Sequence, residues 1–189
     1  MRPLVAVVGD ASLPRGSKKR RLALELGQRL VDSGFRVVTG GLGGVMEAAS
    51  KGARSSRKYR PGDVVGILPS LDPSTANPYV DVVLPTGLDM GRNLLVAQAS
   101  ALVAIGGGAG TLSEIAFAWM LKGLIVALRV DGWSGRLADQ RVDGRIRYKG
   151  IPDDRVYGAD TALEAAALVH RLLPLYDRRH RGIPPGGRP

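Results

Sequence analysis

The stretch ALVAIGGGAGTLSEIAFAWMLKGLIVALRV, residues 101–130, decides the fold because it combines two short apolar runs with a longer segment between them. The runs at 101–106 and 124–130 predict strands, and the segment from about Thr111 to Lys122 has the spacing of a helix. Both runs are rich in Val, Ile, Ala and Leu without polar alternation, which is typical of strands covered on both faces. The stretch therefore predicts two parallel strands joined by a crossover helix.

The same alternation of short and long apolar segments continues along the chain. Further strands are predicted at residues 4–9, 35–40, 63–68 and 79–84. Further helices are predicted at residues 17–33, 44–53, 91–100 and 160–176. Residues 131–150 are polar and rich in glycine, and no element is assigned to them. The pattern predicts an α/β protein with a single doubly wound, Rossmann-like domain, in which a mainly parallel sheet of six to seven strands has helices on both faces.

Length and composition limit the classes of protein that fit. The 189 residues suit one domain, which we place at residues 1–175. No apolar stretch approaches the ~20 residues of a membrane span, so no membrane partner is expected. The chain has no cysteine, which removes disulfides and thiolate metal sites and favours a cytoplasmic location. His170 and His180 stand apart from any serine or carboxylate pattern, so neither a metal site nor a hydrolytic triad is predicted.

The formal net charge of +10 indicates affinity for anions. Basic residues concentrate in runs at 15–21 and 54–60 and in the tail at 176–189, which is rich in Pro, Gly and Arg and is predicted to be disordered. The runs predict either solvated surfaces or nucleic-acid binding. Tyr59 alone interrupts the central run, and aromatic residues make up 5% of the chain, so nucleic acid is the least favoured partner.

Glycines cluster at three predicted strand-to-helix junctions, in VVGDAS, TGGLGG and GGGAGT. In a doubly wound sheet these loops gather at the carboxyl ends of the strands. Glycine lets backbone N–H groups approach a ligand, and a helix amino end favours a phosphate by about 0.3–2 kcal/mol. We therefore expect phosphate or nucleotide binding at these residues: Gly9, Gly40, Gly41, Gly43, Gly44, Gly107, Gly108, Gly110 and Thr111. For TGGLGG, a tight turn that binds no ligand is the alternative.

Two polar pairs have alternative interpretations. Thr111 and Glu114 have the spacing of a capping box, in which their side chains bind the free N–H groups of the first helical turn. A capping box does not explain the run of glycines ahead of it, so a ligand site is the equal alternative. Arg92 is predicted either to bind a phosphate or carboxylate at the crevice or to form a surface ion pair with Asp89.

The third junction resembles a known motif. In the LOG-like superfamily of Rossmann-type proteins the motif is P-G-G-x-G-T-x-x-E, and residues 106–114 are GGGAGTLSE, with Gly106 in place of the proline. The segments GGLGGVMEAASKGA, GILP, NPYVDVVLPTGL and GRN come in the order typical of a subgroup with molybdenum-cofactor carrier proteins and many uncharacterised bacterial members. The resemblance covers roughly residues 4–130.

The resemblance implies a homodimeric, nucleotide-binding protein. In the cytokinin-activating members, an arginine and the motif glutamate serve hydrolysis of the N-glycosidic bond of a nucleoside 5′-monophosphate, which releases the base and ribose 5-phosphate. The catalytic roles then fall on Arg92 and Glu114. The residues implied to hold the 5′-phosphate are Gly107, Gly108, Gly110 and Thr111.

The leading expectation is a phosphoribohydrolase that acts on an AMP-like ligand and requires no cofactor. The alternative is a noncatalytic carrier of molybdenum cofactor or a related phosphorylated ligand. A nucleic-acid-binding protein is the third candidate, because the superfamily also has a distant resemblance to DNA-processing proteins. Two residues resemble the carrier subgroup, Asn93 and Gly106. Asn93 stands where the enzymes usually have lysine, and it could itself contact the ligand.

A homodimer interface is expected on the apolar face of IAFAWMLKG, residues 115–123. Phe117, Trp119 and Met120 exceed what a helix needs to pack on a sheet. Ordinary core packing of these side chains is the alternative.

Overall fold

Short runs of β-branched and small apolar residues form a sheet of seven parallel strands in the computed structural model, which describes residues 2–176. The strands are β1 (Leu4–Gly9), β2 (Arg36–Thr39), β3 (Val64–Leu68), β4 (Val82–Pro85), β5 (Ala101–Ile105), β6 (Leu124–Leu128) and β7 (Tyr157–Ala159). Their order across the sheet is β4-β3-β2-β1-β5-β6-β7, and every neighbouring pair is parallel. The predicted parallel sheet of six to seven strands is confirmed.

Residues 2–176 contain six α-helices, of which the first five lie between strands and the sixth follows β7. They are α1 (Lys18–Asp32), α2 (Val45–Arg54), α3 (Asn93–Ala97), α4 (Ala109–Met120), α5 (Trp133–Leu137) and α6 (Ala162–Leu172). Helix α1 begins where the Ser17 hydroxyl accepts a hydrogen bond from the N–H of Arg20, and α6 begins at the equivalent bond between Thr161 and Glu164. Short 3₁₀ turns lie at Pro73–Thr75, Asp89–Arg92 and Leu173–Leu175.

Alternate residues of each central strand face opposite helical layers. In β1, Val5 and Val7 pack in one core with α1, α2 and α6, whereas Ala6 and Val8 pack in the other core with α3 and α4. All four residues are buried, which explains why the strands lack polar alternation. The predicted placement of helices on both faces is confirmed.

Several predicted boundaries are wrong. β7 was not predicted, because it is three residues long and follows a polar segment. Residues 131–150, to which no element was assigned, contain α5. β4 begins three residues later than predicted, α3 is a single short turn, and α4 begins at Ala109 instead of Thr111. The predicted helix at 160–176 ends at Leu172 and continues as a 3₁₀ turn.

A buried polar cluster fixes the segment between β6 and β7. The Arg147 guanidinium donates to both carboxylate oxygens of Asp154, at 2.8 and 2.6 Å, and lies 3.7 Å from the centre of the Trp119 ring. The Tyr176 hydroxyl donates to the same carboxylate at 2.7 Å. Because both charges are buried and fully hydrogen-bonded, removal of either partner would leave the other uncompensated in the core.

The end of the described chain bears on the predicted tail. The sequence predicts a disordered tail from residue 176, but Tyr176 is buried in the core, so the prediction is wrong at this residue. The rest of that prediction, residues 177–189, lies outside the described residues. Within residues 2–176, no helix is both long enough and apolar enough to cross a bilayer.

Helices α1 and α2 approach each other so closely that glycine is required at the contact. A Cβ at Gly52 would lie 2.6 Å from the carbonyl carbon of Leu24, and one at Gly27 would lie 2.9 Å from that of Ala49. Backbone atoms of the facing helix cannot turn away as a side chain can. This contact fixes α2, and with it the amino end of α2, against the sheet.

We expect Gly52→Ala to lower the free energy of unfolding by about 1–3 kcal/mol, because the added methyl group overlaps the α1 backbone. Urea unfolding followed by circular dichroism measures the change. Gly144→Ala is the matched control: no heavy atom lies within 4 Å of its Cβ position, so its effect should stay within about 0.5 kcal/mol. Equal effects of the two substitutions would contradict the close helix contact.

Candidate functional site

The carboxyl ends of β1 and β5 lie side by side at the point where the strand order reverses. β1 pairs with β2 on one side and β5 on the other, and Gly9 at its end pairs with Ile105. The chain leaves β1 towards α1 and leaves β5 towards α4, so a crevice opens between the two loops. The predicted glycine junctions therefore meet at one edge of the sheet.

The amino end of α4 presents a row of free amides at this crevice. Helix α4 begins after Gly108, and no side chain caps it. The N–H groups of Gly108, Ala109, Gly110 and Thr111 have no hydrogen-bond acceptor among residues 2–176. Residues 108–110 are also exposed. Four unsatisfied amides at the positive end of a 12-residue helix form an arrangement suited to an anion.

The amide of Gly107 is not part of this row, because a side chain already binds it. The Asp10 carboxylate oxygen Oδ2 accepts from the Gly107 N–H at 3.1 Å and from the Lys19 ammonium at 2.8 Å. The Asp10 carbonyl oxygen also accepts from the N–H of Val45, the first residue of α2. Asp10 therefore joins the loops after β1, β2 and β5.

Sequence reasoning missed both Asp10 and Lys19. Asp10 lies 97 residues from Gly107, so nothing in the local pattern could have indicated the contact. The available signal was a carboxylate directly after the first glycine junction, with a cluster of basic residues at 18–21 shortly beyond it.

The loop conformation explains why glycine replaces the motif proline at position 106. Gly106 has φ +68°, whereas a proline ring holds φ near −65°. A Cβ at Gly106 would also overlap the Asp10 carboxylate and lie 2.6 Å from Lys19 Nζ. Gly107 has φ +89°, and a Cβ there would overlap the buried Thr111 side chain. The Asp10–Lys19 pair and the glycine at 106 therefore depend on each other.

Helix α5 holds the glycine loop from behind. The Ser134 hydroxyl accepts from the Gly106 N–H at 2.7 Å and donates to the Leu128 carbonyl oxygen at 2.7 Å. The N–H groups of Trp133 and Ser134 donate to the carbonyl oxygens of Gly107 and Gly106, each at 3.0 Å. Part of segment 131–150 thus fixes the conformation of the loop.

Arg92 and Glu114 form a buried ion pair. Arg92 Nη1 donates to Glu114 Oε1 at 3.1 Å, and each side chain is 8% exposed. Arg92 comes from the 3₁₀ turn before α3, and Glu114 lies one turn into α4. The Arg92 Nε atom is buried and has no hydrogen-bond partner among the described residues. A buried, unsatisfied donor next to a carboxylate is costly unless a further acceptor binds there.

This pair decides between the alternative interpretations of the motif. A capping box would require Glu114 to bind the first-turn amides, but its carboxylate binds Arg92, and α4 begins two residues before Thr111. The capping-box interpretation is therefore wrong. The predicted surface ion pair between Arg92 and Asp89 is also wrong, because Arg92 is buried and its carboxylate partner is Glu114.

Burial raises the pKa of the Glu114 carboxyl to about 7, and the Arg92 cation opposes this shift by lowering it. A carboxyl with a raised pKa keeps its proton to higher pH in the folded protein than in the unfolded chain. Its contribution to stability therefore falls as the pH rises from about 4.5 to about 7. Close to neutral pH, this carboxyl exchanges readily between its acid and carboxylate forms.

The glycines of the first two junctions contact other protein atoms closely. A Cβ at any of them would meet a neighbouring backbone or side-chain atom: Gly9, Gly40, Gly41, Gly43 and Gly44. At Gly40 the neighbour is the Arg92 guanidinium, so this glycine makes room for the buried arginine. Among residues 2–176, no acceptor binds the amides of Leu42, Gly43 or Gly44 at the start of α2.

Asn93 joins α3 to the amino end of α4. Its Nδ2 donates to the Ser113 hydroxyl at 2.8 Å and lies 3.5 Å from the Gly110 carbonyl oxygen. Asn93 is buried, and its amide group is directed at the loop. The residue therefore positions the free amides of α4 from behind.

No group of three or more His, Asp or Glu side chains within residues 2–176 is arranged to hold a metal ion. The charged groups at the crevice are instead two separate ion pairs, Asp10–Lys19 and Arg92–Glu114. The groups that a ligand can meet at the crevice are therefore backbone amides, the buried carboxyl of Glu114, the partly exposed carboxylate of Asp10 and two cations.

The profile of the SLOG cluster4 family matches residues 2–154. The chain belongs to this family. Membership agrees with the predicted LOG-like, Rossmann-type resemblance. The match covers β1 to β6 and ends at the buried Asp154, before β7.

Two sequence relatives extend the comparison. An uncharacterised protein of Archaeoglobus fulgidus is 41% identical over 99 residues, which cover 52% of this SLOG cluster4 chain and 62% of that protein. The chain thus matches less than two thirds of that relative's length. The cytokinin riboside 5′-monophosphate phosphoribohydrolase LOG of Oryza sativa subsp. japonica is 28% identical over 186 residues, covering 92% of this chain and 75% of the rice protein.

Solved structures share the fold over nearly the whole chain. A crystal structure from the Northeast Structural Genomics Consortium has a TM-score of 0.75 and 34% identity, covering 90% of this chain and 99% of its own. The molybdenum cofactor carrier protein of Chlamydomonas reinhardtii has a TM-score of 0.73 and 27% identity. The match covers 92% of this chain and 99% of the carrier protein. DNA processing protein A of Helicobacter pylori shares the fold alone. It has 16% identity and a TM-score of 0.59, and the match covers 89% of this chain and 80% of that protein.

We expect Arg92→Met to raise the pKa of Glu114 above its value of about 7, because the cation that lowers the pKa is removed while burial remains. Carbon NMR of the glutamate carboxyls across a pH titration measures the shift, and Glu114→Gln identifies the resonance. Arg29→Met, which removes an exposed partner of Glu25, is the control and should leave the Glu114 pKa unchanged. An unchanged pKa in Arg92→Met would show that the ion pair does not control this carboxyl.

Proposed function

We propose that this protein binds a nucleoside 5′-monophosphate at the crevice and hydrolyses its N-glycosidic bond. The observation that carries the proposal is the buried Arg92–Glu114 pair one helical turn beyond the free amides of α4. An anion site and a buried carboxyl on one helix suit a ligand with a phosphate at one end and a reactive sugar carbon at the other.

The phosphate would bind the amides of Gly108, Ala109, Gly110 and Thr111. Gly108 supports this placement, because no heavy atom lies within 4 Å of its Cβ position and the space before it is open. Asp10 already binds the Gly107 amide, so in this proposal the phosphate site leaves out Gly107 and includes Ala109, which is not among the residues predicted from the sequence.

Glu114 would act on the sugar. In the reaction, the bond between C1′ and the base nitrogen breaks, a water oxygen bonds to C1′, and a water proton passes to the departing base. The cationic sugar in the transition state would be stabilised by the Glu114 carboxylate, which also orients the water. The unsatisfied Nε of Arg92 would donate to the ligand and hold it against this carboxylate.

We expect the protein to release adenine and ribose 5-phosphate from AMP, measured by liquid chromatography. Glu114→Gln should lower the rate about 100-fold or more, because an amide can neither stabilise the cationic sugar nor accept the water proton. In the wild type the rate should rise with pH up to about 7 and then level off, as the carboxyl ionises.

Glu25→Gln is the matched control for that experiment, since it neutralises an exposed carboxylate on α1 and should leave the rate unchanged. Absence of base release from AMP, GMP, CMP and UMP by wild-type protein that binds them would exclude the hydrolase. An unaltered rate in Glu114→Gln would exclude the role of this residue.

A carrier of a phosphorylated ligand, such as molybdenum cofactor, is the second candidate. It is favoured by the buried Asn93, which donates to Ser113 and supplies no second cation beside Arg92. Similarity to the Chlamydomonas carrier protein supports the same candidate. The carrier would use the same α4 amides but would leave the ligand intact, so binding without base release distinguishes it from the hydrolase.

We also propose that the protein forms a homodimer through an apolar face beside α3. Leu84 and Leu95 are 45% and 36% exposed and border a groove of about 520 Å³ over Val38, Val65 and Ile67. Leu88, Met90 and Leu94, from the same chain segment, are also exposed. A monomer rarely leaves so many large apolar side chains of one segment in water.

This face differs from the interface expected on α4. Trp119 is buried under Arg147 and cannot contact a second copy, so its part of that prediction is wrong. Phe117 is half-buried, and Met120 is 52% exposed. Core packing thus explains Trp119, while Met120 remains on the surface.

We expect the wild type to have twice the mass of the 20.0 kDa chain in light scattering, and Leu95→Asp to have the mass of one chain. The reason is that a charge buried at an apolar interface is strongly unfavourable. Leu163→Asp, at an exposed site on α6, is the control and should remain dimeric. A monomeric wild type would contradict the proposed homodimer.

A further inference from the structure

Helix α1 begins with four consecutive cations, Lys18 to Arg21, and has no acidic residue in its first turn. Cations are disfavoured at the amino end of a helix, because the backbone dipoles are positive there. A helix that needed only stability would place carboxylates at these positions. The basic start of α1 therefore indicates that positive charge is required at this edge of the sheet, where the α4 amides also lie.

Lys19 is directed towards the glycine loop by its contact with Asp10. The ammonium donates to Asp10 Oδ2 at 2.8 Å, and the Cβ position of Gly106 lies 2.6 Å from Nζ. The ammonium therefore lies against the first residue of the glycine loop. It is 23% exposed, and Asp10 is the one hydrogen-bond acceptor that it has among residues 2–176. An ammonium has three donors, so two of them can bind a ligand.

Asp10 places a negative charge next to the proposed phosphate site. It binds the Gly107 amide, the residue immediately before the free amides of Gly108 to Thr111. Without compensation, this carboxylate would repel a phosphate. Lys19 supplies the compensation, and its position beside the loop lets it contact the carboxylate and a phosphate together.

We propose that Lys19 is a phosphate-binding residue of this site, held in place by Asp10. The inference rests on the proposed function, since the phosphate is the one assigned there to the α4 amides. Lys19 would provide, from α1, the cation that Asn93 does not provide from α3. Asp10 would be a positioning residue.

Calorimetric titration with AMP and with inorganic phosphate tests the inference. Lys19→Met should weaken the binding of both probes about tenfold or more, because one charge-assisted hydrogen bond to the phosphate is lost. Lys18→Met is the matched control: it removes the same charge from the same helical turn, but Lys18 is exposed, and its effect should stay below about twofold. Thermal unfolding of each variant shows that it is folded.

Asp10→Asn separates direct contact from a merely structural role. Asparagine keeps an oxygen that accepts from Gly107 and Lys19 but removes the negative charge beside the phosphate. If Lys19 contacts the ligand, Asp10→Asn should bind AMP at least as tightly as the wild type. If the pair only holds the loop, Asp10→Asn should weaken binding as much as Lys19→Met, and that result would overturn the inference.

The remaining outcomes are also decisive. Equal binding by Lys19→Met and Lys18→Met would overturn the role of Lys19 and leave the proposed function intact. A wild type that binds neither AMP nor inorganic phosphate would overturn the proposed function together with this inference. If Lys19→Met weakens binding while Lys18→Met and Asp10→Asn do not, the result supports the role of Lys19.

Discussion

The parallel pairing of β1 with β5 is the constraint on which the site depends. These two central strands are built from small and β-branched residues that fit between two helical layers, and their carboxyl ends are adjacent. Loops that are almost a hundred residues apart in the chain therefore meet, and Asp10 can bind Gly107. Every charged group of the crevice is attached to an element that this pairing positions.

The two ion pairs of the crevice differ in their surroundings, and this difference gives them different roles. Arg92 and Glu114 are buried, and this burial raises the pKa of the Glu114 carboxyl. One donor of Arg92 has no acceptor within residues 2–176. Asp10 and Lys19 are about a quarter exposed, so each keeps some contact with water. A buried pair suits chemistry that requires a proton to move near neutral pH, whereas a partly exposed pair suits recognition of a charged ligand.

The sequence predicts much of the fold, because buried parallel strands have a strong local signal. β1, β5 and β6 lie where their apolar runs indicate, and Arg92 and Glu114 do come together. The local sequence pattern cannot predict which side chains will form hydrogen bonds with each other. Nothing near Asp10 indicates its bond with Gly107, and nothing near Arg147 indicates the cluster with Asp154 and Tyr176. The capping box failed for a related reason, since the glycine loop allows α4 to begin at Ala109, two residues before Thr111.

The Tyr176 hydroxyl has a consequence for the order in which the chain can fold during synthesis. Asp154 and Arg147 are enclosed with Trp119, yet one hydrogen bond to Asp154 comes from a residue made more than twenty positions later. Until α6 has emerged from the ribosome, β6 and β7 lack the helix that covers one of their faces. The half of the sheet that contains β1 to β3 can form earlier, so we expect the layer around Arg147 to be completed last.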